Sequence, residues 1–474
     1  MTEPVLLGID VGTTYCKATV VSVTGFELSR GRRRTPWRLV PTGAEIDQDA
    51  LLGAVVAAAR EAIDDGPAGA IAAVGVTSMA ETGFLLDAAG RALHPAIAWY
   101  DTRSAPESER LIDDLGAERF SGRTGLRPGP MPTIGKYRWL RDHVPVSARG
   151  VRWLSVADLV VRSLGGAEVA ERSLASRTGF LDQGSGDWWT EALAWAGLGR
   201  DLLPPLVNAG EPVGRVAPGS LPGAEGAVLA VAGHDHLAAA VGAGAVRDGD
   251  VLNSCGTAEA LVRSVPSRLP EDVVRDAVAT GVSVGVHIIP DRQALLAGSL
   301  CGMILQRFLD LLGVPESGRA ELGRLAIAAP PGAGGLIVRS GANEIATLEG
   351  IGRDAAPGLV WRAALESVQR ETGILLSAIE AVAGATERVV VVGGWSQDPA
   401  VRVVKAAMLG PFEVPEVHEA GARGAALIAG IASGFFADVF HLPDPVAERS
   451  TPDRSPYQAA ELRTARSTSR STGI

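Results

Sequence analysis

The stretch that most constrains the fold of this chain is an apolar run that ends in an acid and a glycine–threonine turn. Residues 5–21 read VLLGIDVGTTYCKATVV. The apolar start predicts a buried strand with Asp10 near its end, and the alternation after Thr14 predicts a second strand. Gly12 lets the backbone approach a ligand closely, and successive N–H groups in such a turn suit an anion. The stretch therefore predicts a β-hairpin that binds phosphate.

The side chains of this hairpin suit a nucleotide. Thr13 and Thr14 offer hydroxyls, and Lys17 follows a few residues later. A carboxylate beside a phosphate is a usual way to hold Mg²⁺, often through water, so Asp10 is the candidate metal residue. The alternative is an ordinary hairpin whose polar side chains only stabilise the turn.

Length and composition narrow the class of protein. The chain has 474 residues, enough for two domains or three, and a net charge of −10. An acidic chain of this kind argues against nucleic-acid binding, which normally needs a basic face. Its three cysteines stand at no metal-ligand spacing and suit reduced thiols in the cytoplasm. We see no signal peptide, and the longest apolar run, residues 425–436, is too short to span a membrane.

Two further predicted strands run into polar residues. Residues 71–76 precede Glu81, and polar groups at the end of a strand in an α/β sheet tend to face the ligand crevice. Residues 96–104 (AIAWYDTRS) predict another strand, where Trp99 can stack on a sugar ring and Asp101 can bond sugar hydroxyls. The alternatives are a surface acid in a loop, and a core tryptophan beside an Asp–Arg surface pair.

Residues 131–143, MPTIGKYRWLRDH, carry the most specific pattern of the chain. They resemble the first signature of the FGGY family of carbohydrate kinases. The positions that match are Met131, Thr133, Lys136, Tyr137, Trp139, Leu140, Asp142 and His143. Residues 346–366 resemble the second signature of the family and depart from it at Leu359, where a polar residue is usual.

The resemblance covers about residues 5–436 and implies an α/β fold with two ribonuclease-H-like (actin-like ATPase) domains flanking a central catalytic cleft. We expect an N-terminal domain over residues 1–244, with the sugar site, the first phosphate hairpin and the catalytic base. A nucleotide-binding C-terminal domain is expected over residues 245–443. Residues 444–474, rich in Pro, Ser, Thr and Arg, predict a solvated tail that is disordered at its end. Whether the protein forms a homodimer is left open.

Residues 227–244, AVLAVAGHDHLAAAVGAG, predict a strand, a polar turn and a helix. By the resemblance, Asp235 aligns with the catalytic base of the family. A positioned carboxylate can accept the proton that a sugar hydroxyl loses as it attacks the γ-phosphorus. Two alternatives stay open: His234, Asp235 and His236 bind a metal ion, or Asp235 only caps the helix.

Two later stretches complete the nucleotide site. Residues 250–263, DVLNSCGTAEALVR, echo the opening hairpin, with Gly256 and Thr257 at the positions of its glycine and first threonine. The resemblance assigns this second hairpin to the transferred phosphate. It places the adenosine site at residues 388–398, RVVVVGGWSQD, where the candidate contacts are Gly393, Gly394, Trp395 and Asp398. A bulky Trp395 either packs on the adenine or partly fills the site.

Together these features predict an enzyme that transfers the γ-phosphate of ATP to a hydroxyl of a ketose or sugar alcohol, with Mg²⁺ and an aspartate base. The substrate stays unnamed because Ala80 stands where glycerol kinases place an arginine, and Met79 lacks the following histidine that xylulose kinases favour. The alternatives are a catalytically silent ATP-binding regulator of the same fold and a metal-dependent phosphohydrolase.

Overall fold

The computed structural model describes residues 3–67, 69–266, 268–340 and 346–450. In chain order, the strands are β1 (Val5–Val11), β2 (Tyr15–Ser22), β3 (Glu27–Arg34), β4 (Arg38–Val40), β5 (Gly43–Ile46), β6 (Ile71–Ser78), β7 (Gly83–Leu86), β8 (Ala96–Ile97), β9 (Arg152–Ser155), β10 (Ala170–Glu171), β11 (Leu181–Asp182), β12 (Asp187–Trp188), β13 (Leu206–Val207), β14 (Pro212–Arg215), β15 (Val228–His234), β16 (Asp250–Cys255), β17 (Glu259–Val265), β18 (Ser283–Val286), β19 (Gln293–Ser299), β20 (Ile337–Ser340), β21 (Ala346–Glu349), β22 (Arg388–Val392), β23 (Phe412–Pro415) and β24 (Ala447–Ser450).

The helices follow the same order. They are α1 (Gln48–Asp64), α2 (Ala105–Leu115), α3 (Ala117–Thr124), α4 (Thr133–His143), α5 (Val156–Ser163), α6 (Arg172–Ser176), α7 (Thr190–Ala196), α8 (Asp235–Gly242), α9 (Glu271–Ala279), α10 (Cys301–Leu311), α11 (Arg319–Ala328), α12 (Pro357–Ala383), α13 (Pro399–Leu409) and α14 (Ala420–Ala432). Within the described ranges, no helix is both long enough and apolar enough to cross a lipid bilayer.

The chain forms two compact units, and each is assembled from separate stretches of sequence. Among the described residues, the first unit takes in those up to 248, 262–296 and 417–445, and the second takes in 249–261, 297–416 and those from 446 onward. A single cut in the sequence does not separate these units. The domain limits at 1–244 and 245–443 stay a prediction.

The first unit is built on a six-stranded sheet in the order β14-β15-β6-β1-β2-β3. Strands β15, β6 and β1 are parallel neighbours, and β2 returns antiparallel to β1. Every residue of β1 is buried. Helix α14 packs closely across the sheet because Gly8 lacks a side chain: a Cβ there would lie 1.8 Å from the carbonyl oxygen of Ala422. The sheet therefore positions its strand ends rigidly.

The second unit contains β16, which is parallel to β22, and β22 is in turn parallel to β23. Helices α10, α11, α12 and α13 build an apolar core around the fully buried Trp361. Strand β24 pairs antiparallel with β23, Phe412 opposite Ser450. Residues 447–450, predicted as part of a solvated tail, thus form a strand instead. Residues 451–474 lie outside the described residues.

A local prediction differs from the structure. The strand predicted over residues 96–104 is only Ala96–Ile97, because the chain turns at once and the Asp101 amide donates to the Ala98 carbonyl at 3.1 Å. Helix α1 begins at Gln48 because the Asp47 carboxylate caps it by accepting from two backbone amides.

Candidate active site

Three carboxylates of the first unit lie at one edge of its sheet. Asp10 is near the end of β1, Glu81 follows the end of β6, and Asp235 follows the end of β15. The register aligns Val11 with Ser78 and Ser78 with His234, so the three strand ends are adjacent. In an open α/β sheet, ligands bind outside the carboxyl ends of the parallel strands. The topology thus brings together three of the acids that the sequence singled out.

The Asp10 carboxylate is held in a crowded, buried place. Burial raises its pKa to about 7, Lys17 opposes that rise, and Asp235 and Glu419 add to it. A Cβ on Gly421 would lie 2.6 Å from Asp10 Oδ2, so glycine is needed where α14 begins. The Asp10 Oδ1 atom is buried and has no hydrogen-bond partner among the described residues.

The turn of the first hairpin is fixed by side chains from outside it. The Gly12 amide closes the turn on the Tyr15 carbonyl at 3.1 Å. Trp99 donates its indole N–H to the Thr13 hydroxyl at 2.9 Å, and Trp37 donates to the Thr13 carbonyl at 2.7 Å. Thr14 is exposed. Sequence reasoning missed Trp37. The N–H of Trp99 supports the turn of the first hairpin, and its predicted contact with a sugar stays a prediction.

Lys17 lies opposite Asp10 in the β1–β2 ladder and forms a 2.7 Å ion pair with Glu419. Burial disfavours the charge on Lys17, but the carboxylates of Asp10 and Glu419 outweigh that effect and raise its pKa. The lysine is therefore charged and stands beside the predicted metal residue. Glu419 was missed because it enters from a stretch about 400 residues further along the chain.

Asp235 is the first residue of α8, and two residues before it lies Gly233, where a side chain would be strained. Gly233 has a φ of +80°, and a Cβ there would meet Ile288 at 2.4 Å. The Asp235 Oδ1 atom accepts from the His236 amide at 2.7 Å and lies 3.2 Å from His234 Nε2. Burial raises the pKa of Asp235, His236 lowers it, and Glu81 raises it further. A raised pKa suits a carboxylate that must take up a proton.

His234 and His236 flank Asp235 and would complete the alternative metal site that the sequence left open. Ligand atoms of His234, Asp235 and His236 all lie within 4.8 Å of one another, so this trio can hold an ion. Burial lowers the pKa of His234 well below its usual range, so its ring is neutral. Within the described ranges, this trio is the one group of at least three such residues that lies so close.

Glu81 adopts a strained backbone at the sheet edge. Its φ is +57°, which is uncommon for a residue with a side chain and costs about 1–3 kcal/mol. Arg177 donates from Nε to Glu81 Oε1 at 2.7 Å, and its Nη2 lies 2.7 Å from the same oxygen. The other oxygen, Oε2, has no hydrogen-bond partner among the described residues. Strain at a carboxylate of this kind points to a ligand contact.

Lys136 of the first signature lies buried inside the first unit. Its ammonium donates to the Met131 carbonyl. Burial lowers its pKa to about 7, while Glu81 and Asp101 act in the opposite direction. The signature that identified the family thus contains a buried lysine near Glu81, the leading sugar-site candidate.

Asp101 does not fit its predicted role as a sugar contact. Its Oδ1 atom accepts from the backbone amide and Nε of Arg103, both at 2.9 Å, and its Oδ2 accepts from Arg103 Nη2 and the Thr42 hydroxyl. A carboxylate has about four acceptor sites, and all of them are occupied here. Asp101 is also fully buried, so it orders the loop behind the site.

The second unit holds β16, the turn of the second hairpin and the start of β17. The Gly256 amide donates to the Ala258 carbonyl at 3.0 Å, as the glycine of the first hairpin does across its own turn. Thr257 is exposed at the turn, and its carbonyl accepts from the Met303 amide at 3.0 Å, at the start of α10. The short sequence echo thus corresponds to two similar strand–turn–strand structures.

The two glycines after β22 lie beside this hairpin. Gly393 has a φ of +97°, and a Cβ there would lie 2.5 Å from the Cys255 carbonyl oxygen. Gly394 is open to solvent, with nothing within 4 Å of a Cβ position. The Asp398 carboxylate caps α13 by accepting from Ala400 and Val401 amides. The cap does not test whether Asp398 also contacts a cofactor, so that contact stays a prediction.

Trp395 forms one wall of an open pocket in the second unit. The pocket has a volume of about 300 Å³ and is lined by Thr257, Gly302, Met303, Gln306, Arg307 and Trp395. Trp395 packs against Trp361 with ring centroids 6.2 Å apart, and the Arg319 guanidinium lies 5.9 Å from its ring. The indole thus borders the cavity and leaves it open.

Comparison with known families agrees with this arrangement. The model for the N-terminal domain of the FGGY family of carbohydrate kinases matches residues 5–242, and the model for the C-terminal domain matches residues 319–433. The two matches cover most of the chain. This chain belongs to the FGGY family of carbohydrate kinases, phosphotransferases with an alcohol group as acceptor.

Curated relatives span nearly the whole chain. A xylulose kinase of Streptomyces coelicolor is 32% identical over 447 residues, which cover 91% of this chain and 89% of that protein. A glycerol kinase of Trichlorobacter lovleyi is 31% identical and covers 91% of each chain.

Solved structures show the same two-domain α/β fold. A structure described as a xyloylose kinase from Brucella ovis has a TM-score of 0.85 at 25% identity and covers 97% of both chains. A xylulose kinase from Rhodospirillum rubrum has a TM-score of 0.86 at 24% identity, with 97% of this chain and 96% of that one covered. The predictions of family, fold class and enzyme class are confirmed.

Proposed function

We propose that this protein transfers the γ-phosphate of ATP to a hydroxyl of a sugar or sugar alcohol, with Asp235 as the general base. The observation that carries the proposal is the meeting of Asp10, Glu81 and Asp235 at adjacent strand ends in a member of a carbohydrate kinase family. Phosphoryl transfer needs little covalent chemistry from the protein, so positioning and charge are what the site must supply.

Most of the predicted residues have a proposed role in this reaction. Gly12, Thr13, Thr14 and Lys17 of the first hairpin, with Gly256 and Thr257 of the second, are proposed to hold the phosphates. Gly393, Gly394 and Trp395 are proposed for the nucleoside end. The second-unit pocket beside Trp395 supports this role because the indole borders open space. Glu81 is the leading sugar contact, and Trp99 acts through the turn that it supports.

The residues around Asp10 fit a magnesium ion. A carboxylate oxygen is the ligand type that Mg²⁺ prefers, and Asp10 has an oxygen without a partner. Burial favours the neutral acid, and a nearby cation would favour the carboxylate instead. When bound, Mg²⁺ would neutralise negative charge on the phosphates. Lys17 adds a second positive charge at the same turn.

The chemistry at Asp235 is a proton transfer coupled to phosphoryl transfer. The substrate hydroxyl gives its proton to the Asp235 carboxylate, and its oxygen forms a bond to the γ-phosphorus. The bond from the γ-phosphorus to the oxygen that bridges it to the β-phosphorus breaks, and ADP leaves with that oxygen. The Asp235 Oδ2 atom is suited to this role because it has no hydrogen-bond partner among the described residues.

The names of the relatives favour a ketose or a polyol as the acceptor. Two of them are a xylulose kinase and a glycerol kinase, at nearly equal identity. The Glu81–Arg177 pair supports recognition of hydroxyl groups, because Glu81 keeps one oxygen free to accept from a ligand.

The first experiment is ADP release from Mg²⁺-ATP by the purified protein, with a panel of ketoses, aldoses, polyols and sugar acids. A strong response to one or two compounds supports the proposal and identifies the substrate. ATP binding without any turnover would favour the silent regulator of the same fold. Absence of ATP binding would overturn the proposed function.

A further inference from the structure

A buried polar cluster lies behind the second hairpin, inside the second unit. Glu259 Oε1 accepts from Lys405 Nζ at 2.9 Å and from Asn253 Nδ2 at 2.7 Å, and its Oε2 accepts from the Thr372 hydroxyl at 2.8 Å. Lys405 also donates to Asn253 Oδ1 at 2.5 Å. The Lys405 and Glu259 side chains are 2% and 3% exposed. Both oxygens of the acid are therefore satisfied away from solvent.

The cluster joins both arms of the hairpin to two helices. Asn253 lies on β16 and Glu259 begins β17, on either side of the turn that contains Thr257. Thr372 comes from α12 and Lys405 from α13. A shift of either arm would break hydrogen bonds to a buried charge. Leaving such a charge without its partners is strongly destabilising.

Stability alone does not account for this pair. A buried ion pair is often no more stabilising than apolar residues of the same size, because both charges must leave water. The chain has only three lysines among its 44 basic residues, and Lys405 is one of them. The other two are Lys17, whose side chain is 32% exposed, and Lys136, which is buried; both lie near proposed site residues. Each of the three lysines places its compact charge on an acid or a carbonyl group: Glu419, the Met131 carbonyl and Glu259.

The opposite side of the turn is held as well. The Thr257 carbonyl is bound by α10, and a Cβ on Gly302 would lie only 1.9 Å from the Gly256 carbonyl oxygen. The Thr257 side chain remains exposed, and its hydroxyl has no partner among the described residues. The backbone of the turn is therefore held by a hydrogen bond and by close packing, while the Thr257 hydroxyl stays accessible to a ligand.

We propose that the Lys405–Glu259 pair is a positioning device that holds the Gly256–Thr257 turn in the shape that receives the terminal phosphates of the nucleotide. The inference rests on the proposed function, and it adds two residues that no resemblance assigned. Lys405 and Glu259 do not touch the nucleotide in this proposal. They act through the turn.

The test compares two nucleotides that differ in their terminal phosphates. The Kd values of a non-hydrolysable ATP analogue and of AMP are measured by calorimetry with Mg²⁺ present. In Lys405→Met, the analogue is expected to bind about tenfold more weakly, while AMP changes less than about twofold. Glu259→Gln should act in the same direction, because it keeps the shape of the side chain and removes its charge.

The matched control breaks a different buried ion pair of the same unit. Arg362→Met removes the 2.7 Å contact with Glu366 within α12. It is expected to lower stability and leave the ratio of the two Kd values unchanged. A purely structural role of Lys405 would give this same result, so the ratio separates positioning from stability.

A double variant keeps the test valid if a single variant does not fold. Lys405→Met with Glu259→Met leaves no unpaired charge, so it should fold and still bind the analogue at least about threefold more weakly than wild type. Equal weakening of both nucleotides in Lys405→Met, or wild-type affinity for the analogue in the double variant, would overturn the proposal. Failure of the wild-type protein to bind the analogue would instead overturn the proposed function.

Discussion

The indole N–H of Trp99 donates a 2.9 Å hydrogen bond to the hydroxyl of Thr13. Together with the bond from Trp37 to the Thr13 carbonyl, it means that the turn of the first hairpin is shaped by two aromatic residues from outside it. A turn that receives phosphate must keep its amides and hydroxyls in fixed directions. The geometry of this turn therefore depends on contacts that only the folded first unit supplies.

Trp99→Phe tests the support of the turn. Phenylalanine keeps the apolar ring and removes the donor, which is worth about 1 kcal/mol, so kcat/KM for ATP should fall about fivefold. Steady-state kinetics at saturating sugar measure the change. Trp195→Phe is the control, because its indole bonds Asp114 at the surface. Equal kinetics in Trp99→Phe and wild type would contradict a role for this bond.

Asp235→Asn tests the general base. Asparagine keeps the size of the side chain and an oxygen for the His236 amide, but it does not take up the substrate proton. We expect kcat to fall by about 10²- to 10⁴-fold, with ATP affinity within about twofold of wild type. ADP release and calorimetry give the two quantities. Asp47→Asn, at the cap of α1, should leave both unchanged. Turnover near the wild-type rate would exclude Asp235 as the base.

The pH dependence of kcat/KM should show that the negative charge of Glu81 raises the pKa of Asp235. The base acts when it is deprotonated, so kcat/KM should fall as the pH drops through its pKa. Burial and Glu81 both raise the pKa of Asp235, so this fall should lie above the ordinary range of an aspartate. Glu81→Gln removes one negative charge and should move the fall to lower pH. An unmoved profile would mean that the two groups are not coupled.

Lys136 should make stability depend on alkaline pH. Its pKa is about 7 in the folded protein and 10.5 ordinarily. Between these values the unfolded chain binds the proton and the folded chain does not, so the free energy of unfolding should rise with pH. The rise is at most about 1.4 kcal/mol per pH unit, and it ends above the ordinary pKa.

Lys136→Met should lack this rise, because methionine does not titrate. Urea unfolding of both proteins at several pH values measures the difference, with circular dichroism as the signal. Parallel stability curves for wild type and variant would show that Lys136 is charged in the folded state throughout this range.

Asp10→Asn tests the metal assignment. The Mg²⁺ concentration for half-maximal activity should rise about tenfold, since the amide carries no charge to hold the cation. The competing site at His234, Asp235 and His236 predicts a tightly bound transition metal instead. Metal analysis of the purified protein, and activity after chelation and return of Mg²⁺ alone, separate these outcomes. Activity that returns only with a transition metal would contradict the assignment.

Much of the site was predictable because it follows local rules. A buried strand, an acid and a glycine turn lie within a few residues, so Asp10 and Gly12 were visible in the sequence. Asp235 followed from the resemblance to the carbohydrate kinase family, and the second hairpin from its echo of the first hairpin together with that resemblance. The residue pattern did not show which side chains occupy the acceptor sites of an acid. Asp101 was expected to bind sugar, but Arg103, two residues along the chain, and Thr42 use those sites.

The sequence by itself determined the family and the α/β class, and it singled out the acids and glycines of the candidate site, because these depend on residue type and short spacing. Only the tertiary structure decided which of them meet. The parallel register of β1, β6 and β15 brings Asp10, Glu81 and Asp235 to one edge. The same holds for Glu419 beside Lys17, because ion pairs form between groups that folding brings within a few ångströms, whatever their separation along the chain.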